Sequence, residues 1–112
     1  MTFLLMACEG GGSSTPAIDQ KLSQSIQPAD PQLAAIYNRS CKNCHTVTAT
    51  GAPLTGDKEA WEQRTVKGMD VMLNSVINGS GGMPPFGLCM DCDAEQFEAL
   101  IDFMAQPPAT QP

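Results

Sequence analysis

Cys41-Lys42-Asn43-Cys44-His45 sets two thiols three residues apart, with an imidazole directly after the second. Thiols at this spacing reach the two vinyl groups on one edge of a porphyrin, and the adjacent ring nitrogen can bind the iron, so this is the motif of c-type haem attachment. It holds the only histidine of the chain. Thioredoxin-like exchange is the other reading of a lone CxxC, but it belongs to a βαβ setting that the surrounding pattern does not provide. In a second pair, Cys89 and Cys92, the first cysteine is separated from Cys44 by 44 intervening residues. Compact Cys₄ zinc sites separate their pairs by roughly 15 to 20 residues, so one shared zinc is disfavoured.

An iron bound by His45 needs a second axial ligand, and no second histidine exists. Methionine is the usual partner in electron-carrying cytochromes. Beyond Met1 and Met6 the candidates are Met69, Met72, Met83, Met90 and Met104. Met69, Met72 and Met104 fall in helical apolar stripes and read as core, and Met90 sits inside the second CxxC. Met83 stands alone in a loop. Two glycines before it permit close backbone approach, and Pro84-Pro85 after it stiffen its presentation, so Met83 is the expected distal ligand.

The elements that must position these residues follow from the surrounding pattern. Residues 1–8 are apolar and end in Leu5-Met6-Ala7-Cys8, like the back half of a signal peptide closing on a lipoprotein-type lipobox; an ordinary signal fragment with Cys8 incidental is the alternative. Residues 9–29, opening Glu-Gly-Gly-Gly-Ser-Ser-Thr-Pro, read as a flexible tether. From residue 30 short helices begin. Asp30-Pro31 is an N-cap with proline in the first turn, and Leu33, Tyr37, Cys41 and Cys44 then share one helical face. Both cysteines of the first pair are therefore expected to face the core. Asp57 caps a helix carrying Trp61, and Met69, Met72, Leu73, Val76 and Ile77 mark a third that ends near Asn78-Gly79. Asp93 and Gln96 form a capping box for a last helix with Phe97, Leu100, Ile101 and Met104 on its face. No useful stretch has period two, so the expected class is all-α, with the domain over residues 30–106 and a disordered proline-marked tail over 107–112.

Composition narrows the function classes. Among 112 residues, 6 Lys+Arg oppose 12 Asp+Glu, a net charge of −6. So acidic a surface excludes nucleic acid, which needs a basic face, and docking on anionic lipid. No run reaches the 18 or more apolar residues of a membrane span. Aromatic residues make up only 5%, so a large apolar prosthetic group would supply much of the core.

The attachment motif, Gly82-Met83-Pro84-Pro85 and Cys89-Met90-Asp91-Cys92 resemble the small class I c-type cytochromes, most closely the bacterial cytochrome c5 group, over roughly residues 30 to 105. The resemblance implies about four short helices around one covalent haem c, and a disulfide between Cys89 and Cys92. It also implies that the Pro53 carbonyl accepts the ring N–H of His45. Trp61 is placed to donate its indole N–H to a haem propionate. Leu54, Leu73, Ile77 and Phe86 are candidates for the haem wall, and Tyr37, Leu100 and Phe103 for the crossing of first and last helices.

Two strong ligands in a dry pocket leave no open position for substrate, so the expected role is single-electron shuttling between redox proteins, not enzymatic catalysis. A thiol-disulfide oxidoreductase using Cys89 and Cys92 is one rival. A haem-based sensor or peroxidase-like enzyme with a labile Met83 is the other. The expected location is the bacterial periplasm, with acylation of Cys8 as a membrane anchor in the lipobox reading. An acidic carrier prefers a basic or neutral patch on its partner.

Overall fold

A computed structural model describes residues 18–108. Six α-helices appear: α1 Gln20–Gln24, α2 Pro31–Arg39, α3 Lys42–His45, α4 Lys58–Thr65, α5 Met69–Asn78 and α6 Ala94–Ala105. Among the described residues there is no strand, only an isolated antiparallel bridge between Ser80 and Met83. The chain is all-α, as expected, with more helices than the four anticipated. Residues 1–8, including Cys8, lie outside the described residues, as do 109–112.

The caps are those the sequence specifies. The Asp30 carboxylate accepts from the backbone N–H groups of Gln32 and Leu33, and Asp57 accepts from that of Ala60. Asp93 accepts from the Gln96 N–H while the Gln96 side chain accepts from Asp93, a closed capping box. Each bond satisfies a helix-end donor that would otherwise lack a partner.

The first long helix departs from expectation. The four-four-three spacing through Cys44 predicts one continuous helix, but Ser40, with φ −121° and ψ −67°, breaks it between α2 and α3. The Asn43 side chain donates to the carbonyl of Arg39 across the break, satisfying an acceptor that the interrupted helix frees. In consequence the cysteine pair does not continue the face of α2: Cys41 is half-buried against the core and Cys44 is exposed.

The core lies where α2, α4 and α5 meet α6. Phe97, Leu100, Ile101, Phe103 and Met104 of α6 are buried. Tyr37 and Phe103 meet edge to face at 5.1 Å between ring centroids, with Leu100 buried beside them. Such a contact adds about 1 kcal/mol to the burial of the two rings.

Of the tether expected over 9–29, residues 9–17 lie outside the described residues, and the rest does not run free, because α1 is part of the folded body. Asp19 caps it by accepting from the Leu22 N–H, and Ser23 is fully buried. Gly56 carries φ +91°, and a Cβ there would stand 2.7 Å from the Ile18 Cδ1, 3.2 Å from the Ile26 Cδ1 and 3.4 Å from the Pro108 Cδ. The segment before α2 and the residue ending the described chain thus converge on one glycine. Pro108, expected in the tail, is seated there.

Tyr37 also ties α2 to the loop below it, its hydroxyl donating to the Thr55 Oγ1 at 2.9 Å. Burial pushes the phenol up to about 12, partly offset by the Thr55 bond. Tyr37→Phe is expected to lower unfolding free energy by about 1 kcal/mol at pH 7, read as a guanidinium midpoint. The unfolded chain releases this proton near pH 10 and the folded chain near 12, so the wild type loses stability across that window. The gap between wild type and variant should therefore narrow from pH 10 upward. A gap that stays constant would show that the hydroxyl is not held as described.

Candidate functional site

A cavity of about 380 Å³ opens between α3, α5, α6 and the loop after α5. Its walls bring together Cys41, Cys44, His45, Pro53, Trp61 and Met83. This size suits a single organic cofactor.

His45 closes α3 and is buried. Its Nδ1 lies 2.8 Å from the Pro53 carbonyl oxygen. A carbonyl can only accept, so Nδ1 carries the proton and Nε2 is left as a bare lone pair. No hydrogen bond reaches Nε2 among the described residues. Burial lowers the imidazole's affinity for a second proton, the Pro53 bond opposes this and Arg64 reinforces it. The ring is thus held neutral, the form that binds a metal.

The loop holding the imidazole is fixed from behind. The Thr55 N–H donates to the His45 carbonyl at 2.6 Å, joining the two ends of residues 45–55. The Trp61 indole ring lies 5.2 Å from the imidazole, centroid to centroid. Its N–H donates to the Leu54 carbonyl at 2.9 Å. This corrects the expectation of a propionate contact. A buried indole N–H needs a partner, and the loop backbone already supplies one.

Met83 is held by its own backbone. Ser80 and Met83 exchange two N–H to carbonyl bonds, at 3.1 and 2.9 Å, across the turn Gly81-Gly82. Gly79 lets that turn fold back on α5: its φ is +83°, and a Cβ there would stand 2.9 Å from the Met83 carbonyl. Only glycine meets both conditions. The Met83 methyl rests near Gly87, where an added Cβ would lie 3.2 Å away.

Cys41 and Cys44 are free thiols on the cavity wall. Burial pushes the Cys41 thiol up to about 11, partly offset by its own backbone hydrogen bond, with Cys44 adding to the rise. It is held as a thiol, not as an exchange-ready thiolate. Cys89 and Cys92 stand outside this cavity, sulfurs at bonding distance and Cα atoms 5.5 Å apart. Arg39 reaches over them to pair with Asp91 at 3.1 Å, an exposed contact of small energetic weight. Met90 between them is exposed.

The apolar wall differs from expectation. None of Leu54, Leu73, Ile77 and Phe86 lines the cavity; Val71, Met72, Val76, Leu88, Ile101 and Met104 do. On α5 the stripe is right but the cavity sees its neighbouring edge, because one residue turns a helix by about 100° and shifts contact from Leu73 and Ile77 to Met72 and Val76. Phe86, with φ +59°, turns instead toward Phe97, ring centroids 6.4 Å apart. Leu54 contributes its carbonyl to Trp61. The sequence reading also missed Arg64 and Lys67, two cations on the cavity wall. Two cations three residues apart in an acidic chain were the available signal.

These residues fit a c-type haem on the structure's own terms. Two free thiols, a buried imidazole with one unpartnered nitrogen, and a thioether from a different loop share one largely apolar cavity.

A profile of the family described as cytochrome c oxidase, cbb3-type, subunit III matches residues 28–104. The chain is 36% identical over 72 residues to cytochrome c5 of Azotobacter vinelandii, covering 62% of this chain and 87% of that one. It is 46% identical over 48 residues to cytochrome c-555 of Chlorobaculum thiosulfatiphilum, covering 43% and 56%. Among solved structures, a mono-haem ferrocytochrome c from Shewanella putrefaciens aligns with TM-score 0.61 and 42% identity over 70% of this chain and 99% of that one. A chain of an electron transfer complex of nitrite reductase with cytochrome c aligns with TM-score 0.57 and 35% identity, covering 68% and 93%.

Trp61→Phe keeps an aromatic side chain but deletes the indole donor together with part of the buried ring. It is expected to lower stability by about 1 to 2 kcal/mol, since the Leu54 carbonyl loses its partner. Circular dichroism across a denaturant series measures this, and an unchanged midpoint would place the indole N–H elsewhere.

Proposed function

Because the chain belongs to the class I c-type cytochromes, as a monohaem electron carrier most like the cytochrome c5 group, we propose that His45 and Met83 are the axial ligands of its haem c and that Cys41 and Cys44 hold it covalently. The chain is a carrier and not an enzyme, and its partners are other redox proteins. The observation supporting the ligand assignment is the His45 ring, whose Nδ1 is committed to Pro53 while Nε2 is free at a cavity that also receives Met83.

The bound haem supplies reversible exchange of one electron at iron. Pro53 orients the imidazole and, by drawing on its N–H, strengthens the opposite nitrogen as a donor. Met83 offers a soft, neutral ligand that favours the ferrous state. Met72, Val76, Ile101 and Met104 exclude water from the pocket. Arg64 and Lys67 are placed to pair with the propionate carboxylates, the role expected of Trp61. Cys89 and Cys92 are proposed as a disulfide that stiffens the chain after the Met83 loop. The burial of Cys89 and the separation of this pair from the cavity favour the carrier reading over dithiol exchange.

Among the described residues no helix is long and apolar enough to cross a membrane. We place the protein in the periplasm on the signal-like residues 1–8, with Cys8 as a candidate acyl anchor. The net charge of −6 favours a partner with a basic or neutral docking patch and association that weakens with salt.

The test is Met83→Ala in the mature holoprotein. The methionine-to-iron charge-transfer band of the oxidised form should disappear and the reduction potential should fall. An unaltered spectrum would refute the assignment. Arg64→Gln with Lys67→Gln is expected to leave the band intact and lower the potential, because two positive charges that disfavour ferric iron are removed.

A further inference from the structure

We infer that α1, which precedes the segment matched to the family, is a positioning element for the proximal ligand: through Gln20, Ser23 and Gln24 it grips the backbone of the loop that carries His45 and Pro53. The inference rests on His45 being that ligand. The three side chains stand at i, i+3 and i+4 and so share one face of the helix. Each reaches the loop backbone. The Ser23 Oγ donates to the Thr55 carbonyl at 2.9 Å and stands 3.4 Å from the His45 carbonyl. The Gln24 side-chain amide donates to the Thr46 carbonyl at 3.3 Å. The Gln20 side-chain oxygen accepts the Thr48 N–H at 2.8 Å.

These contacts fall at both ends of residues 45–55 and near their middle, while Pro53, the acceptor of the His45 ring N–H, has no such hold of its own. Ser23, Thr46 and Thr55 are all buried, so the Ser23 bonds form away from competing water, whereas the Gln20–Thr48 bond lies at the exposed edge of the grip. Five residues are too few to be stable as an isolated helix. What keeps α1 helical is the loop it grips, and the grip works in both directions. Slackening it lets the Pro53 carbonyl drift from the ring N–H, which weakens the imidazole as a donor and favours ferrous iron.

Ser23→Ala, Gln20→Leu and Gln20→Glu test this in the mature ferrous and ferric holoprotein. Since His45 is the only histidine, its ring N–H gives one assignable signal in ferrous protein labelled with ¹⁵N. Ser23→Ala and Gln20→Leu are expected to speed solvent exchange of that proton by roughly 3- to 10-fold, the loss of one hydrogen bond, and to shift the reduction potential upward. Gln20→Glu keeps the acceptor for Thr48 and should keep wild-type exchange. A merely structural role would lower the unfolding midpoint and leave exchange and potential unmoved, and that result overturns the inference. If Ser23→Ala does not fold, the exposed Gln20 pair decides alone. A wild-type spectrum without a histidine-methionine signature would instead refute the ligand assignment itself.

Discussion

The hydrogen bond from the Thr55 N–H to the His45 carbonyl is the constraint on which the site depends. It closes eleven residues into a fixed loop, counting from 45 through 55, and every polar group of Thr55 is then engaged. Its hydroxyl accepts from Tyr37, its carbonyl accepts from Ser23, and the residue is fully buried. A buried polar residue bonded through its N–H, carbonyl and hydroxyl holds one geometry, because a shift leaves a donor or acceptor unpaired at a cost of about 1 to 3 kcal/mol. Helices α1 and α2 therefore both bond Thr55, and α1 holds the same loop again at Thr46 and Thr48. The adjoining Gly56 extends the connection, its N–H donating to the Met104 carbonyl at the end of α6.

Around this fixed loop, core and site are not separate regions. Met72, Val76, Ile101 and Met104 are buried members of the main apolar cluster and also walls of the cavity. A cavity of about 380 Å³ amid such side chains forgoes many dispersion contacts, and a small domain has few others with which to compensate. The prosthetic group completes the core at the same time as it supplies the redox centre. That dual role explains how a chain with 5% aromatic residues builds a stable all-α domain.

How much of this was legible in the sequence depends on how local each signal is. CxxCH is a contiguous pattern whose chemistry follows from covalent reach, and the Asp30, Asp57 and Asp93 caps are decided within four residues. The Met83 loop was legible because glycines and prolines act on their own backbone. The failures are all tertiary. Helix α1 carries almost no apolar periodicity, and its polar face is satisfied only by a loop more than twenty residues away. The edge of α5 that lines the cavity depends on how that helix rolls against α6, which no periodicity within α5 records. Trp61 was assigned a partner outside the protein because its partner inside, the Leu54 carbonyl, is a backbone atom and leaves no mark in side-chain pattern.

The same distinction fixes where the domain begins. The match to the family starts at residue 28, near the Asp30 cap. Physical attachment starts earlier. Ile18 and Ile26 close over Gly56, and Ser23 fills a fully buried position beneath the ligand loop. Cutting at residue 28 would remove the donor to the Thr55 carbonyl and uncover the backbone between His45 and Pro53. The boundary is set by which backbone groups require a partner, and by that measure α1 belongs to the haem site more directly than the Cys89–Cys92 segment, which lies outside the cavity.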